Sequence, residues 1–341
     1  MKKTGMAAVL CVLLLLVLCF AVPDGQILWE ASDALYTGEA LPALTGHILP
    51  YGAGLAAASV LAWAVSFGLV RRRTSLQGAL CWLAWALGLG ILLSRLLYCV
   101  VEPAYYNPEW FTRLAALRLW DGGMAMTGAL AGILLAVKLA PEGAAMAPTA
   151  APLFVAGARL SEVFTQVGYG PSVYFEGLLS RQVGYAVRLN VSLLEAALAL
   201  VIFICVLLLP RWTAKRKLKL SDGKRLCAFA ILYGVSQIFM ESLRKDRHMI
   251  WGFTKAQQIL AILLVLGTLM ILAKDGKAKR HALLITLCAA VPLVVLEFAL
   301  DRADVSIWLL YGAYLLILAA YLWGACRMLR RSLALGGTGA A

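Results

Sequence analysis

The sequence predicts an all-α, polytopic membrane protein, and three observations carry that prediction. Hydrophobic residues make up 62% of the 341-residue chain and charged residues only 14%, whereas a soluble domain carries roughly a quarter charged residues. Apolar runs of about twenty residues, the length a helix needs to cross the hydrocarbon core, recur along the chain, and the mean hydropathy is +0.84. The basic residues behind the formal net charge of +13 sit in short clusters between those runs.

The runs place candidate spans at roughly 5–22, 50–70, 78–100, 122–140, 147–165, 192–209, 224–243, 256–273, 281–299 and 305–324. Alternation tests them. With Met1 inside, the loops at 71–77, 138–147, 210–224 and 274–281 and the C-terminal tail all fall on the cytoplasmic side, together with the basic clusters. Asp24, Glu30, Asp33, Glu39, Glu102, Glu109, Asp301 and Asp304 fall on the other side. That agreement with the positive-inside rule predicts about ten spans with both termini cytoplasmic, in the cell membrane. The first run, Lys2-Lys3 followed by leucines, also has the outline of a signal peptide. Its exit at Ala21-Val22-Pro23 offers no clean small-x-small site, so an uncleaved helix is expected.

Three outer segments are long: 23–49, 101–121 and 166–191. The second holds Tyr105, Tyr106, Trp110, Phe111 and Trp120 and reads as an interfacial arm or an ordinary loop with an aromatic belt. The third, with Gly168, Tyr169, Gly170, Pro171, Tyr174 and Phe175, reads as a compact head over the membrane or again as a loop. Residues 336–341 read as a disordered tail. No paired broken helices suggest the inverted repeats of a transporter.

Several function classes fall away. A nucleic-acid partner is not expected, because no basic face carries interleaved aromatics. Clusters of Lys and Arg at the membrane surface suit anionic lipid instead. The eight cysteines are scattered, nearly all inside apolar runs, with no CxxC pair or Cys/His cluster, so neither a metal nor a cofactor is expected.

The informative residues are the polar ones inside the spans. Arg159 lies at the end of the fifth, and an arginine at bilayer depth costs about 2.5 to well over 10 kcal/mol. An acidic partner such as Glu162, three residues on, or an anionic ligand must compensate. Arg95, Asp121, Glu195, Glu241, Arg244 and Gln258 lie near the same outer leaflet, and Glu241 and Arg244 share a helix face at i,i+3. Structural ion pairs and snorkelling arginines explain each pair singly; a shared polar cavity explains their clustering. Arginine binds phosphate oxygens bidentately, and a phosphate-bearing headgroup is the anion available at that depth. Gly122, Gly123, Gly128 and Gly132 permit close helix packing or a close-lying ligand.

At these residues the chain resembles the prolipoprotein diacylglyceryl transferase family, over roughly 45–275. Tyr51-Gly52 resembles the family's Tyr-Gly pair. Ser94-Arg95-Leu96-Leu97-Tyr98 resembles its Ala-Arg-Leu-x-Tyr, and Trp120 to Ala129 its Trp-Glu-Gly-Gly-Leu-x-x-His-Gly-Gly. Gly157-Ala158-Arg159-Leu160 through Gly170 resembles the Gly-Arg-Leu-Gly-Asn-Phe-Ile-Asn-Gly-Glu-x-x-Gly signature. Tyr233-Gly234 through Glu241 and Arg244 resembles Tyr-Gly-x-x-Arg-x-x-x-Glu-x-x-Arg, and Gln258-Ile259-Leu260 the family's Gly-Gln-Ile-Leu. Thr127 stands where the family has histidine, Glu162 where it has asparagine, and Gln237 where it has arginine.

The resemblance implies a seven-helix transferase core at 45–275, preceded by one extra helix and outer segment (1–44) and followed by a two-helix extension (276–335). It implies transfer of diacylglyceryl from phosphatidylglycerol to the cysteine thiol of a prolipoprotein signal peptide. Arg159 is then expected to hold the phosphate, Glu162 to stand in as base for the missing histidine, and Tyr51 to orient the headgroup. Arg95, Thr127, Gly170, Tyr233, Gln237, Glu241 and Arg244 are expected around the substrate. His47 and His248 read as surface histidines or as substitute bases. The competing readings are a lipid-binding relative with altered catalysis, motivated by Thr127 and Gln237, and a transporter or scaffold using the extension and Glu297.

Overall fold

A computed structural model describes residues 2–22, 48–101, 119, 123–165, 168–218, 220–245, 249–250, 254–302 and 306–335. His47, Trp120, Asp121, Gly122 and His248, the aromatic arm and the 336–341 tail lie outside the described residues. Among the described residues ten α-helices occur in the expected order. They form two compact units, residues 1–200 and 201–341.

The first unit begins with α1 (Lys2–Ala21), α2 (Pro50–Val70), α3 (Leu76–Val101), α4 (Met126–Leu139) and α5 (Ala147–Ser161). Pro50 stands at the start of α2, where a missing N–H costs nothing. Small residues set the packing. A Cβ on Gly52 would collide with the Leu18 carbonyl of α1, and one on Gly54 would lie 2.5 Å from Ser161 Oγ of α5. Gly128 and Gly132 of α4 lie against the backbone of α3 at Leu93-Ser94 and Leu89-Gly90, so close packing explains both. Leu55, Leu83, Leu87 and Ile91 close the core against Cys11, Leu18 and Val22.

Among the described residues seven helices are long and apolar enough to cross a membrane, which makes the chain a multi-pass membrane protein. The fourth and fifth differ from expectation in length. α4 has 14 residues and α5 has 15, short of the roughly twenty a full crossing takes. Gly123, with φ +77°, precludes helix just ahead of α4. α5 ends at Ser161, and Glu162–Phe164 tightens into a 3-10 turn.

The segment after α5 folds as a small antiparallel sheet, an exception to the all-α expectation. β1 (Tyr169–Ser172), β2 (Ser180–Val183) and β3 (Ala186–Asn190) pair in the order β1-β3-β2. Val183 faces Ala186 across a two-residue turn whose first position, Gly184, has φ +59°, a conformation that suits a hairpin. Tyr174, Leu178 and Tyr185 stand fully out on this head. α6 (Val191–Lys215) follows directly and runs across the division at residue 200.

The second unit holds α7 (Asp222–Leu243), the two-residue strands β4 (Met249–Ile250) and β5 (Thr254–Lys255), α8 (Ala256–Leu272), α9 (Gly276–Arg302) and α10 (Ile307–Leu335). Ser221 caps α7 by accepting from Lys224 N at 3.3 Å. Gly234 lets α7 approach Ala261 and Val265 of α8. The extension helices share this core: Leu293, Tyr314, Leu318 and Ala325 pack with Ile231, Ile238, Val265 and Leu269.

Candidate active site

In the first unit the buried charges gather where α5 ends. Arg159 is 4% exposed, so its guanidinium must be neutralised by protein. Its Nη1 donates to Glu162 Oε1, the expected i,i+3 partner. Its Nε meets a second carboxylate, Glu195 Oε2 of α6. Ser192, three residues before Glu195, donates its hydroxyl to the other oxygen of Glu162. Gly168, with φ +82°, keeps the space beside Ser192 and Glu162 open, since a Cβ there would strike both.

Glu195 is the residue that linear reading places at a span start without linking it to Arg159. The spacing of Ser192 and Glu195 on one face of the first turn of α6 is the signal that joins them. Arg181 of β2 is a second such residue: it donates to the carbonyls of Glu162 (3.3 Å) and Thr165 and so ties the sheet to the 3-10 turn.

The other first-unit residues named from sequence lie in different settings. Arg95 is 1% exposed and donates through Nη1 to the Gly123 carbonyl at 3.2 Å. Thr127 is buried in the first turn of α4, and its hydroxyl cannot take the part of an imidazole base near neutral pH. Tyr51 packs at the edge of the α1–α2–α3 core. Gly170 is buried in β1.

The second unit has its own buried cluster at the C-terminal end of α7. Glu241 and Arg244 pair as their spacing predicts, Nε to Oε1 at 3.6 Å. Gln237, in place of the family's arginine, donates its amide to Glu241 Oε1 at 2.8 Å. Tyr233 is buried and stacks on Phe229. Lys255, which the sequence pattern does not single out, places its ammonium on the carbonyls of Glu241 (2.6 Å) and Arg244 (2.5 Å). Glu297 is committed to Lys255 and Gln258, which gives the transporter reading no support. Among the described residues no group of His, Cys, Asp and Glu has the makings of a metal site.

Comparison with known proteins gives these clusters a context. The family model of prolipoprotein diacylglyceryl transferase matches residues 40–274. Relatives named phosphatidylglycerol–prolipoprotein diacylglyceryl transferase include one from Pediococcus pentosaceus, 26% identical over 252 residues, covering 68% of this chain and 88% of the relative. One from Thermotoga petrophila is 28% identical over 211 residues, covering 56% and 69%. One from Streptococcus pyogenes is 25% identical over 203 residues, covering 55% and 76%. Both buried clusters lie within the matched stretch except for Glu297, and the chain belongs to the prolipoprotein diacylglyceryl transferase family.

Proposed function

We propose that the chain transfers a diacylglyceryl group from phosphatidylglycerol to the lipobox cysteine of prolipoprotein signal peptides at the outer face of the cell membrane, with both of its termini cytoplasmic. Residues 45–275 carry the transferase core, residues 1–44 precede it, and 276–335 extend it. The observation that carries this reading is the buried guanidinium of Arg159, held between two carboxylates inside the family-matched stretch.

The reaction sets its own demands. The thiol gives up its proton, its sulfur forms a bond to the glyceryl carbon, and the carbon–oxygen bond to the phosphate breaks. Glycerol phosphate leaves with the bonding pair. A thiol with an ordinary pKa near 8.5 needs a base, and the departing phosphate needs cationic donors already in place. Arg159 orients the phosphate and meets its developing charge; the family resemblance gives Arg95 or Arg244 a supporting part in binding the lipid. Glu162 takes the thiol proton in place of the family's histidine. The family resemblance assigns Tyr51 and Tyr233 to orienting the headgroup, and Gly170, Thr127, Gln237 and Glu241 to binding substrate.

Purified protein in phosphatidylglycerol micelles, incubated with a lipobox peptide, should yield the diacylglyceryl thioether as a mass increase on the peptide. Arg159→Ala should abolish it, a loss of at least about 10²-fold for a missing charge-stabilising donor. Full activity of that variant would remove Arg159 from the mechanism. A second reading rests on Gln237, whose neutral amide engages Glu241 where the family carries a cation. On that reading the protein binds phosphatidylglycerol and yields no thioether product.

A further inference from the structure

Helix α9 lies beyond the family-matched stretch, yet it delivers a carboxylate into the polar interior of the second unit. Glu297 is 4% exposed. Its Oε2 accepts from Gln258 Nε2 at 2.9 Å and its Oε1 lies 3.6 Å from Lys255 Nζ. Lys255 in turn spends its ammonium on the end of α7, donating to the carbonyls of Glu241, Ser242 (3.4 Å) and Arg244. The last carbonyls of a helix lack intrahelical partners, and a cation there also meets the negative end of the helix dipole. Tyr314 of α10 adds a donor to the Ile238 carbonyl at 3.3 Å and receives Gln258 Nε2 at 3.2 Å. Tyr311 donates to the Ser242 carbonyl at 3.5 Å. The end of the helix that carries Glu241 and Arg244 is therefore held by one lysine and by two tyrosines of the extension, and Glu297 balances and aims the lysine.

We propose that Glu297 is a positioning residue: through Lys255 it fixes the C-terminal end of α7 and thereby the place of Arg244, making the two-helix extension a working part of the lipid site. This rests on the transferase reading for what Arg244 does, but not for how it is held. An ordinary ion pair that merely fastens α9 to the core makes different predictions. Removing a fastener lowers the folded fraction, and so the apparent kcat, at unchanged KM. Misplacing a phosphate-binding arginine raises KM for the lipid.

The test uses the full chain in phosphatidylglycerol nanodiscs, with a lipobox peptide as acceptor. Glu297→Gln keeps the acceptor for Gln258 and removes the charge opposite Lys255. It should raise KM for phosphatidylglycerol by about tenfold with kcat held within about twofold, and Glu297→Asp should recover most of the loss. Amide exchange over residues 241–245 should quicken by about tenfold in Glu297→Gln, while the 169–190 sheet exchanges as before. The reversed pair Glu297→Lys with Lys255→Glu should not rescue, because a carboxylate has no proton to give the α7 carbonyls. Wild-type KM in Glu297→Gln, unchanged exchange at 241–245, or rescue by the reversed pair each overturns the proposal. Should the wild-type chain make no thioether product, the transferase reading falls and the exchange measurement alone decides the positioning role.

Discussion

Two buried cations, Arg159 in the first unit and Lys255 in the second, are held in opposite ways. Around Arg159 the partners are side chains: two carboxylates, one of them braced by Ser192. Around Lys255 the partners include backbone: the carbonyls at the end of α7, with the carboxylate of Glu297 behind. A guanidinium clamped by movable carboxylates can exchange one of them for a phosphate, because its planar fork accepts either anion. An ammonium capping a helix end cannot let go without exposing the carbonyls it satisfies. The first arrangement suits chemistry and the second suits support. Each variant below separates these two uses.

The largest effect is expected at Glu162. Glu162→Asn installs the residue the family carries there and removes one of the carboxylates that meet Arg159. If Glu162 receives the thiol proton, turnover with a lipobox peptide drops by about 10³-fold, within the range for losing a general base. Fold is retained, since the asparagine oxygen still accepts from Arg159 and its amide N–H can donate to the Ser192 hydroxyl. Turnover within about twofold of wild type would move the base elsewhere and recast Glu162 as a structural counter-ion.

The two units also differ in what their glycines face, and this gives a smaller, purely structural contrast. A Cβ on Gly128 meets the backbone of α3 at Leu93 and Ser94 (2.5 Å to the Ser94 Cα), which cannot step aside. A Cβ on Gly234 meets first a methyl of Val265, at 2.5 Å, which a rotamer change can move. Gly128→Ala should cost about 2–3 kcal/mol and Gly234→Ala about 1 kcal/mol, since overpacking is penalised by how little the neighbour can yield. Thermal unfolding in one detergent compares them; equal losses would mean that α3 and α4 can slide apart.

How much of this was legible follows from distance along the chain. The ten helices could be read because each is a local run of apolar residues, and the pairs Arg159–Glu162 and Glu241–Arg244 because i,i+3 residues share a helix face. Glu195 could be seen but not assigned, since its bond to Arg159 forms only when α5 and α6 come together. Nothing in the sequence pattern singles out Lys255, and Glu297 stands alone in an apolar run. The contact between Glu297 and Gln258 spans 39 residues, and nothing in the intervening sequence announces it. The sheet at 169–190 escaped as strands because four- and five-residue segments carry too few alternations to outweigh a loop. The shortness of α4 and α5 escaped because the apolar composition continues past the points where Gly123 and the turn at Glu162 stop the helix.

The smallest effect is expected where a cation caps carbonyls within reach of water. Arg181 does for the 3-10 turn at Glu162 what Lys255 does for α7, donating to the carbonyls of Glu162 and Thr165. Unlike Lys255, it is only partly buried, so water can take over its bonds when it is removed. Arg181→Ala should therefore cost about 1 kcal/mol of stability, the net worth of an ordinary hydrogen bond, and lower turnover only a few-fold through a looser Glu162. Thermal unfolding and the lipobox assay on the same preparation measure both. A loss of turnover as deep as that of Glu162→Asn would show that the head sheet, and not α5 alone, sets the geometry of the Arg159 cluster.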